Sequence, residues 1–389
     1  MLRHYVTKNG KTMRCGYTTG SCAAGAAGAA TEMLLTGRAV ERLDMDTPKG
    51  IRLNLDILEP EIGGDYARCA VRKDSGDDPD ITNGILIYAT ARKTDVGIII
   101  DGGEGVGRVT KPGLDQPVGA AAINSVPRQM IAEQVRAACA RCGYGGGILI
   151  VISIPEGRAL AGRTFNPRIG IKGGLSVIGT TGIVEPMSNA ALVDTIRVEL
   201  SVLAASGAMD VLLCPGNYGE TFAREQLGLS MQRQVSTSNF IGEGVQAAVS
   251  AGFERILLVG HIGKLVKLGI GMTNTHSQNG DGRMETLIAC ALACGGDIAL
   301  LKAIQGCVTT DAALDALGAA GLLRPVMDLL GQRIQATLER WVPARVEIGF
   351  ICFTNAGPWQ GALVKSDNAD ALAQAWREPE GNGSVAHKY

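Results

Sequence analysis

From residue 18 to residue 37 the chain passes from a Thr-Thr-Gly-Ser turn through an alanine-rich stretch to Met33-Leu34-Leu35 and a glycine. That order predicts a capped helix with a glycine just past its end, and its early face carries little but small side chains. Short apolar runs at 51–58, 67–71, 85–88 and 96–100, separated by turns rich in glycine and aspartate, read as strands. Helical spacing returns at 127–141, and the unbroken apolar run 147–154, stopped by Pro155, predicts a buried strand. This half is α+β in character. Beyond it the alternation is more regular: helix 190–205, strand 211–214, helices 218–227 and 240–251, strand 255–259, helices through 282–341 and a last strand 346–353. Such a pattern predicts an α/β domain with a parallel sheet and crossover helices, and puts a change of domain between 155 and 200. The polar tail from Glu378 is expected to fray.

Composition narrows the classes. With 389 residues, 46% hydrophobic and 19% charged, the chain buries enough for two domains and is far from the profile of a disordered one. Aromatics at 4% beside 53 glycines imply aliphatic packing, tight turns and close backbone approaches. A formal net charge of −1 gives no electrostatic footprint for nucleic acid or an anionic membrane surface. Residues 1–6 lack an apolar signal core, and no later run reaches the roughly 18 apolar residues of a membrane span, so the expected location is the cytoplasm. Ten cysteines scattered along a long chain suit reduced thiols, and Cys139-Ala-Arg-Cys142 has no second pair to make it a metal site.

Four carboxylates, Asp74, Asp77, Asp78 and Asp80, fall within seven residues, a density that requires water, cations or backbone donors nearby. An EF-hand would need glycine and glutamate where Pro79 and Ile85 stand, so either a solvated acidic turn or a cationic ligand is left. The run from Ile98 into Asp101-Gly102-Gly103-Glu104-Gly105-Val106-Gly107 is a strand entering a glycine loop, but Arg108 breaks the dinucleotide fingerprint. Arg163, Arg168 and Lys172 stand among glycines at 162–182, a surface of cations and amides suited to anions. Neither this stretch nor Gly260-His261-Ile262-Gly263-Lys264 is a Walker A loop. Cys214-Pro215-Gly216-Asn217-Tyr218-Gly219 and the Gly260 loop each follow an expected parallel strand and open an expected helix, which is where α/β sheets bind ligands. Lys264 and Lys267 are expected on one polar helix face, and His261 and His276 are candidates for acid, base or donor as well as for structural hydrogen bonds. No HExxH or other dense ligand spacing occurs, so no protein metal site is expected.

Taken in order, Arg14–Cys22, Lys73–Asp80, Gly102–Gly107, Thr164–Arg168, Gly179–Val184, Gly216–Gly219, Gly260–Lys264 and Thr275–Ser277 resemble the CbiD-type cobalt-precorrin-5B C1-methyltransferase family. The resemblance implies an α+β domain similar to the second domain of ribosomal protein S5, taken as 1–185, then a Rossmann-like α/β domain at 186–377 with a mainly parallel sheet, and a flexible tail at 378–389. It implies methyl transfer from S-adenosyl-L-methionine to C1 of a corrinoid macrocycle, giving cobalt-precorrin-6A, with cobalt present only as part of the substrate. The expected catalytic residues are His261, as base, with Asp101 and Glu104. Thr18, Thr19, Ser21, Arg163, Arg168, Lys172, Lys264, Lys267 and His276 are the expected substrate contacts, and Gly103, Gly105, Gly216, Asn217, Tyr218, Gly219 and Gly260 the expected cofactor contacts. Contacts with other cobalamin-pathway enzymes fit the same picture, and nothing in the sequence assigns an oligomeric state. Two other classes stay open at this point, an ATP-dependent small-molecule kinase and a non-catalytic tetrapyrrole-binding carrier.

Overall fold

In the computed structural model the chain opens with a hairpin, β1 (Tyr5–Lys8) and β2 (Lys11–Arg14), and a two-residue strand, β3 (Gly16–Tyr17). The alanine run then forms α1 (Thr19–Thr36), which Thr18 caps by accepting from the Ser21 amide at 3.2 Å and Gly37 closes in a left-handed conformation. A second hairpin, β4 (Arg42–Asp46) and β5 (Arg52–Asp56), precedes β6 (Leu58–Ile62), β7 (Tyr66–Arg72), β8 (Leu86–Thr94), β9 (Ile98–Gly102) and the short β10 (Arg108–Val109). Next come α2 (Ser125–Arg141), β11 (Gly147–Ser153), the short α3 (Gly157–Ala161) and α4 (Asn166–Ile169), β12 (Ile171–Lys172) and β13 (Ile183–Val184). The structure describes residues 2–8, 10–95, 97–355 and 357–377, so Val96, at the head of one expected strand, and the expected fraying tail lie outside the described residues.

Residues Met1–Asn189 form one compact unit and Ala190–Tyr389 another. In the first, the sheet runs in the order β6-β7-β8-β11-β9, antiparallel except for the parallel pair β11 and β9. Helices α1 and α2 lie together over Cys69, Val71, Ile87, Ala89, Ile148, Ile150 and Ile152. The 147–154 run is therefore not buried throughout. Leu149 and Val151 sit half-covered opposite Arg92 and Thr90, because helices cover one face of this sheet and the pleat sends alternate side chains to the other.

The second unit follows the alternation more closely: α5 (Asn189–Ala205), β14 (Asp210–Cys214), α6 (Asn217–Glu225), β15 (Gln234–Ser236), α7 (Ile241–Ala251), β16 (Arg255–His261) and a single turn, α8 (Ile262–Leu265). Four helices, α9 (Arg283–Ala293), α10 (Ile298–Gln305), α11 (Thr310–Ala319) and α12 (Leu323–Glu339), precede β17 (Glu347–Thr354), β18 (Gly361–Lys365) and α13 (Ala369–Gln374). The sheet order is β15-β14-β16-β17-β18, parallel except for the edge strand β18. The sequence reading missed β15 and β18, which are too short for periodicity to mark. Both faces are covered. Leu212, Cys214, Leu257, Val259 and Phe353 meet α6 and α13 on one side, while Val211, Leu213, Ile256, Leu258 and Phe350 meet α7 and α9 to α12 on the other. The faces follow from chain direction. From β14 the chain steps one way to β15, and then it returns past β14 to β16 and β17, so right-handed crossovers place α6 and α7 on opposite faces. The loops after β14 and β16 thus diverge, leaving a crevice at the carboxyl ends of these neighbours.

Candidate functional site

In the first unit the distinctive segments hold one another. Arg14 clasps Asp74 through two hydrogen bonds of 2.6 and 2.8 Å, which hold that carboxyl below its ordinary range against the effect of burial. The Arg14 amide donates to Asp77 at 2.6 Å, and Asp78 accepts from the Met187 amide at 3.0 Å. Lys73, 3% exposed, donates to Ser75 and to Asp80. Burial opposes ionisation of Asp80, but the Lys73 charge and the Thr82 hydrogen bonds outweigh it and hold the carboxyl low. The acidic cluster is thus neither simply solvated nor in need of an outside cation, since its partners come from its own unit.

Three of the expected substrate contacts lie in the same closely packed region. The hydroxyls of Thr18, Thr19 and Ser21 are engaged internally: Thr18 caps α1, Thr19 exchanges hydrogen bonds with Ile178, and Ser21, fully buried, donates to the Gly182 carbonyl at 2.7 Å. A Cβ on Gly105 would lie 1.7 Å from the Ile154 oxygen and one on Gly103 2.7 Å from Ser153 Oγ, so both glycines make room for neighbouring chain. Asp101 is gripped by Arg108 at 2.8 and 3.2 Å, bonds that keep its carboxyl below the usual range and ionised. Glu104 is exposed, as are Arg163, Arg168 and Lys172, with Lys172 beside Arg108 across the β10 and β12 pair.

In the second unit the distinctive segments converge on the crevice. Strand β14 leads into Gly216, whose φ of 94° suits glycine alone, and α6 begins directly after it without a side-chain cap. Gly219 is small for a different reason: a Cβ there would come 2.6 Å from the Val259 oxygen, so it lets α6 lie against β16. Gly260 likewise makes room for Leu265 and Pro215. Strand β16 ends at His261, whose Nδ1 accepts from the Gly263 amide at 3.1 Å and so caps α8. The imidazole is edge-on to Phe353, with centroids 5.6 Å apart, and 6.1 Å from the ring of Tyr218, which is 69% exposed. Phe353 in turn stacks on Phe222 of α6 at 3.9 Å.

Lys264 reaches back across the crevice. Its Nζ donates to the Ser238 carbonyl at 3.0 Å and lies 3.4 Å from where a Gly216 Cβ would be. Half-burial lowers the pKa of this ammonium and also that of His261, whose shift the Asp311 carboxylate partly offsets. Asp311, at the start of α11, accepts from Thr354 Oγ1 at 2.6 Å where β17 ends. Lys267 does not share the polar face with Lys264. The chain tightens to a 3₁₀ turn at Val266–Ile270, and Lys267, 3% exposed, donates to the Thr275 and Gly280 carbonyls at 3.1 Å each. It thereby holds the loop of His276, an exposed side chain whose Nδ1 caps the next turn by accepting from Gln278 N.

The sequence reading missed Ser238, Asp311, Phe353 and Thr354. Ser238 carries a left-handed φ of 52° with no glycine to announce it. Thr354 and Phe353 were accessible by the rule that ligands sit at the carboxyl ends of parallel strands. Asp311 had no local signal, since only the return of α11 to the sheet brings it near His261.

The family model described as CbiD matches residues 6–186, and that described as the CbiD C-terminal domain matches 274–362. The cobalt-precorrin-5B C(1)-methyltransferase of Ruminiclostridium cellulolyticum is 44% identical over 354 residues, covering 91% of this chain and 92% of that protein. This chain belongs to the CbiD family. The protein of the same description from Photorhabdus laumondii is 47% identical, over 84% of this chain and 85% of its own. A solved CbiD-family structure, the cobalamin biosynthesis protein (cbiD) of Archaeoglobus fulgidus, is 24% identical with a TM-score of 0.39, covering 82% of this chain and 88% of that one.

Proposed function

We propose that this chain transfers a methyl group from S-adenosyl-L-methionine to C1 of cobalt-precorrin-5B, giving cobalt-precorrin-6A in the anaerobic, early-cobalt route to cobalamin. The observation that carries the reading is the 44% identity to a cobalt-precorrin-5B C(1)-methyltransferase over nearly the whole of both chains. In this reading 1–185 is a domain similar to the second domain of ribosomal protein S5 and 186–377 a Rossmann-like domain, which the two compact units and the parallel sheet of the second support. The reaction is assigned to the cytoplasm, in contact with other enzymes of the pathway. No helix among the described residues is long and apolar enough to cross a membrane.

The donor set of the crevice fits the cofactor. Gly216, Asn217 and Tyr218 would hold it, with Gly219 and Gly260 keeping the walls close, and Lys264 beside Gly216 would meet a carboxylate. When bound, S-adenosyl-L-methionine supplies a methyl group on a positively charged sulfur. His276, in the same unit, is assigned to the acetate and propionate groups of the macrocycle. The protein's task is to align the ring carbon with the methyl group and exclude water, and no covalent nucleophile is needed.

Melting temperatures with S-adenosyl-L-methionine, S-adenosylhomocysteine or ATP provide the first test, because a ligand that binds only the folded state raises stability by mass action. A rise with the adenosyl ligands but not with ATP, followed by transfer of labelled methyl to cobalt-precorrin-5B, is expected. A rise with ATP alone would move the assignment to a kinase, and corrinoid binding without methyl transfer would move it to a carrier.

A further inference from the structure

We infer that His261 presents an Nε2–H donor, not a basic nitrogen, to the molecule bound in the crevice. This inference rests on reading the crevice as the reaction site, and it replaces the expected role of His261 as base. Strand β16 delivers His261 in extended geometry, and its Nδ1 accepts from the Gly263 amide at 3.1 Å. A backbone N–H can only donate, so Nδ1 carries the lone pair, and the single proton of a neutral imidazole must then lie on Nε2. Taking up a second proton would place Nδ1–H against Gly263 N–H and remove the cap from α8. It would also put a cation into a half-buried site that already holds Lys264. Burial, the larger effect, favours the neutral ring, and the Asp311 carboxylate on α11 opposes it only in part.

The crevice is accordingly rich in donors: the His261 Nε2–H, the Lys264 ammonium and the amides that open α6 after Gly216. Such a set recognises a carboxylate, a group carried by the methionine end of the cofactor and by the macrocycle's side chains alike. His261 therefore takes up no proton in the transfer.

Long-range ¹H–¹⁵N correlation spectra of the full-length, ¹⁵N-histidine-labelled chain near neutral pH report the tautomer directly. The H261N variant identifies the His261 resonances among those of the four histidines. A protonated Nε2 beside an unprotonated Nδ1 is expected, whereas an Nδ1–H tautomer or an imidazolium would overturn the inference. Turnover gives an independent reading, because asparagine keeps both an acceptor for the Gly263 amide and a donor but cannot act as a base. With cobalt-precorrin-5B and S-adenosyl-L-methionine, H261A is expected to slow methyl transfer by about 10²-fold, and H261N to restore about tenfold or more of that loss. If H261N falls as far as H261A while melting at the wild-type temperature, the histidine is a base and the inference fails. Should the wild type transfer no methyl group, the functional reading fails, yet the spectra still decide the tautomer.

Discussion

At the scale of single residues, many side chains that mark this family serve its own chain. Arg14 and Asp74 illustrate this with a sign that can be measured. The Arg14 hydrogen bonds hold the Asp74 carboxyl below its ordinary 3.8, so the stability from the pair is complete above that value and is lost as pH falls through the depressed one. D74N is expected to be less stable than wild type near neutrality and to show a flatter loss of stability in urea melts from about pH 5 to about pH 2. A dependence as steep as that of the wild type would mean that other carboxylates control acid sensitivity. Lys267 makes a second case. Replacing it with methionine strands the Thr275 and Gly280 carbonyls, at about 1–3 kcal/mol apiece, and should speed amide hydrogen exchange across 273–281 before it affects the sheet.

At the scale of elements, α1 shows why an alanine and glycine helix was readable and why its surroundings were not. The hydroxyl cap, small side chains and closing glycine are local signals, and the helix begins and ends within a residue of where they put it. What the small face is for depends on α2 and the sheet. A Cβ on Gly20 would lie 2.9 Å from Pro127 and one on Gly28 3.0 Å from Gln134, while Gly25 faces Leu55 of β5. Gly28→Val should therefore cost about 1–3 kcal/mol by overpacking against α2, measured as a lower urea midpoint. A neutral result would show that the two helices separate easily. The same dependence on neighbours explains the 147–154 strand, whose apolar sequence does not reveal that helices cover only one of its faces.

At the scale of the whole molecule, each unit has its own core and the second carries the crevice. Lys264→Met tests that crevice with a double readout. Because burial already disfavours the ammonium, the ligand-free variant should be as stable as wild type or more so, while the affinity for adenosyl ligands should fall about tenfold or more. Lower stability with unchanged affinity would make Lys264 a structural cation tied to Ser238. The sequence by itself determined the class of each half, the long helices and central strands, the family, and the two loops after β14 and β16, because periodicity, caps and glycine turns are local and the family segments are specific. It did not reveal which of the candidate residues already hold their own chain, since that depends on what packs against each hydroxyl, carboxylate or glycine. Tertiary structure alone decided that Thr18, Ser21, Asp101 and Lys267 are engaged internally, that Lys264 turns back to Gly216, and that Asp311 and Thr354 arrive beside His261 from segments 50 to 93 residues further along the chain. Those placements follow from strand order and crossover direction, which no local stretch of sequence contains.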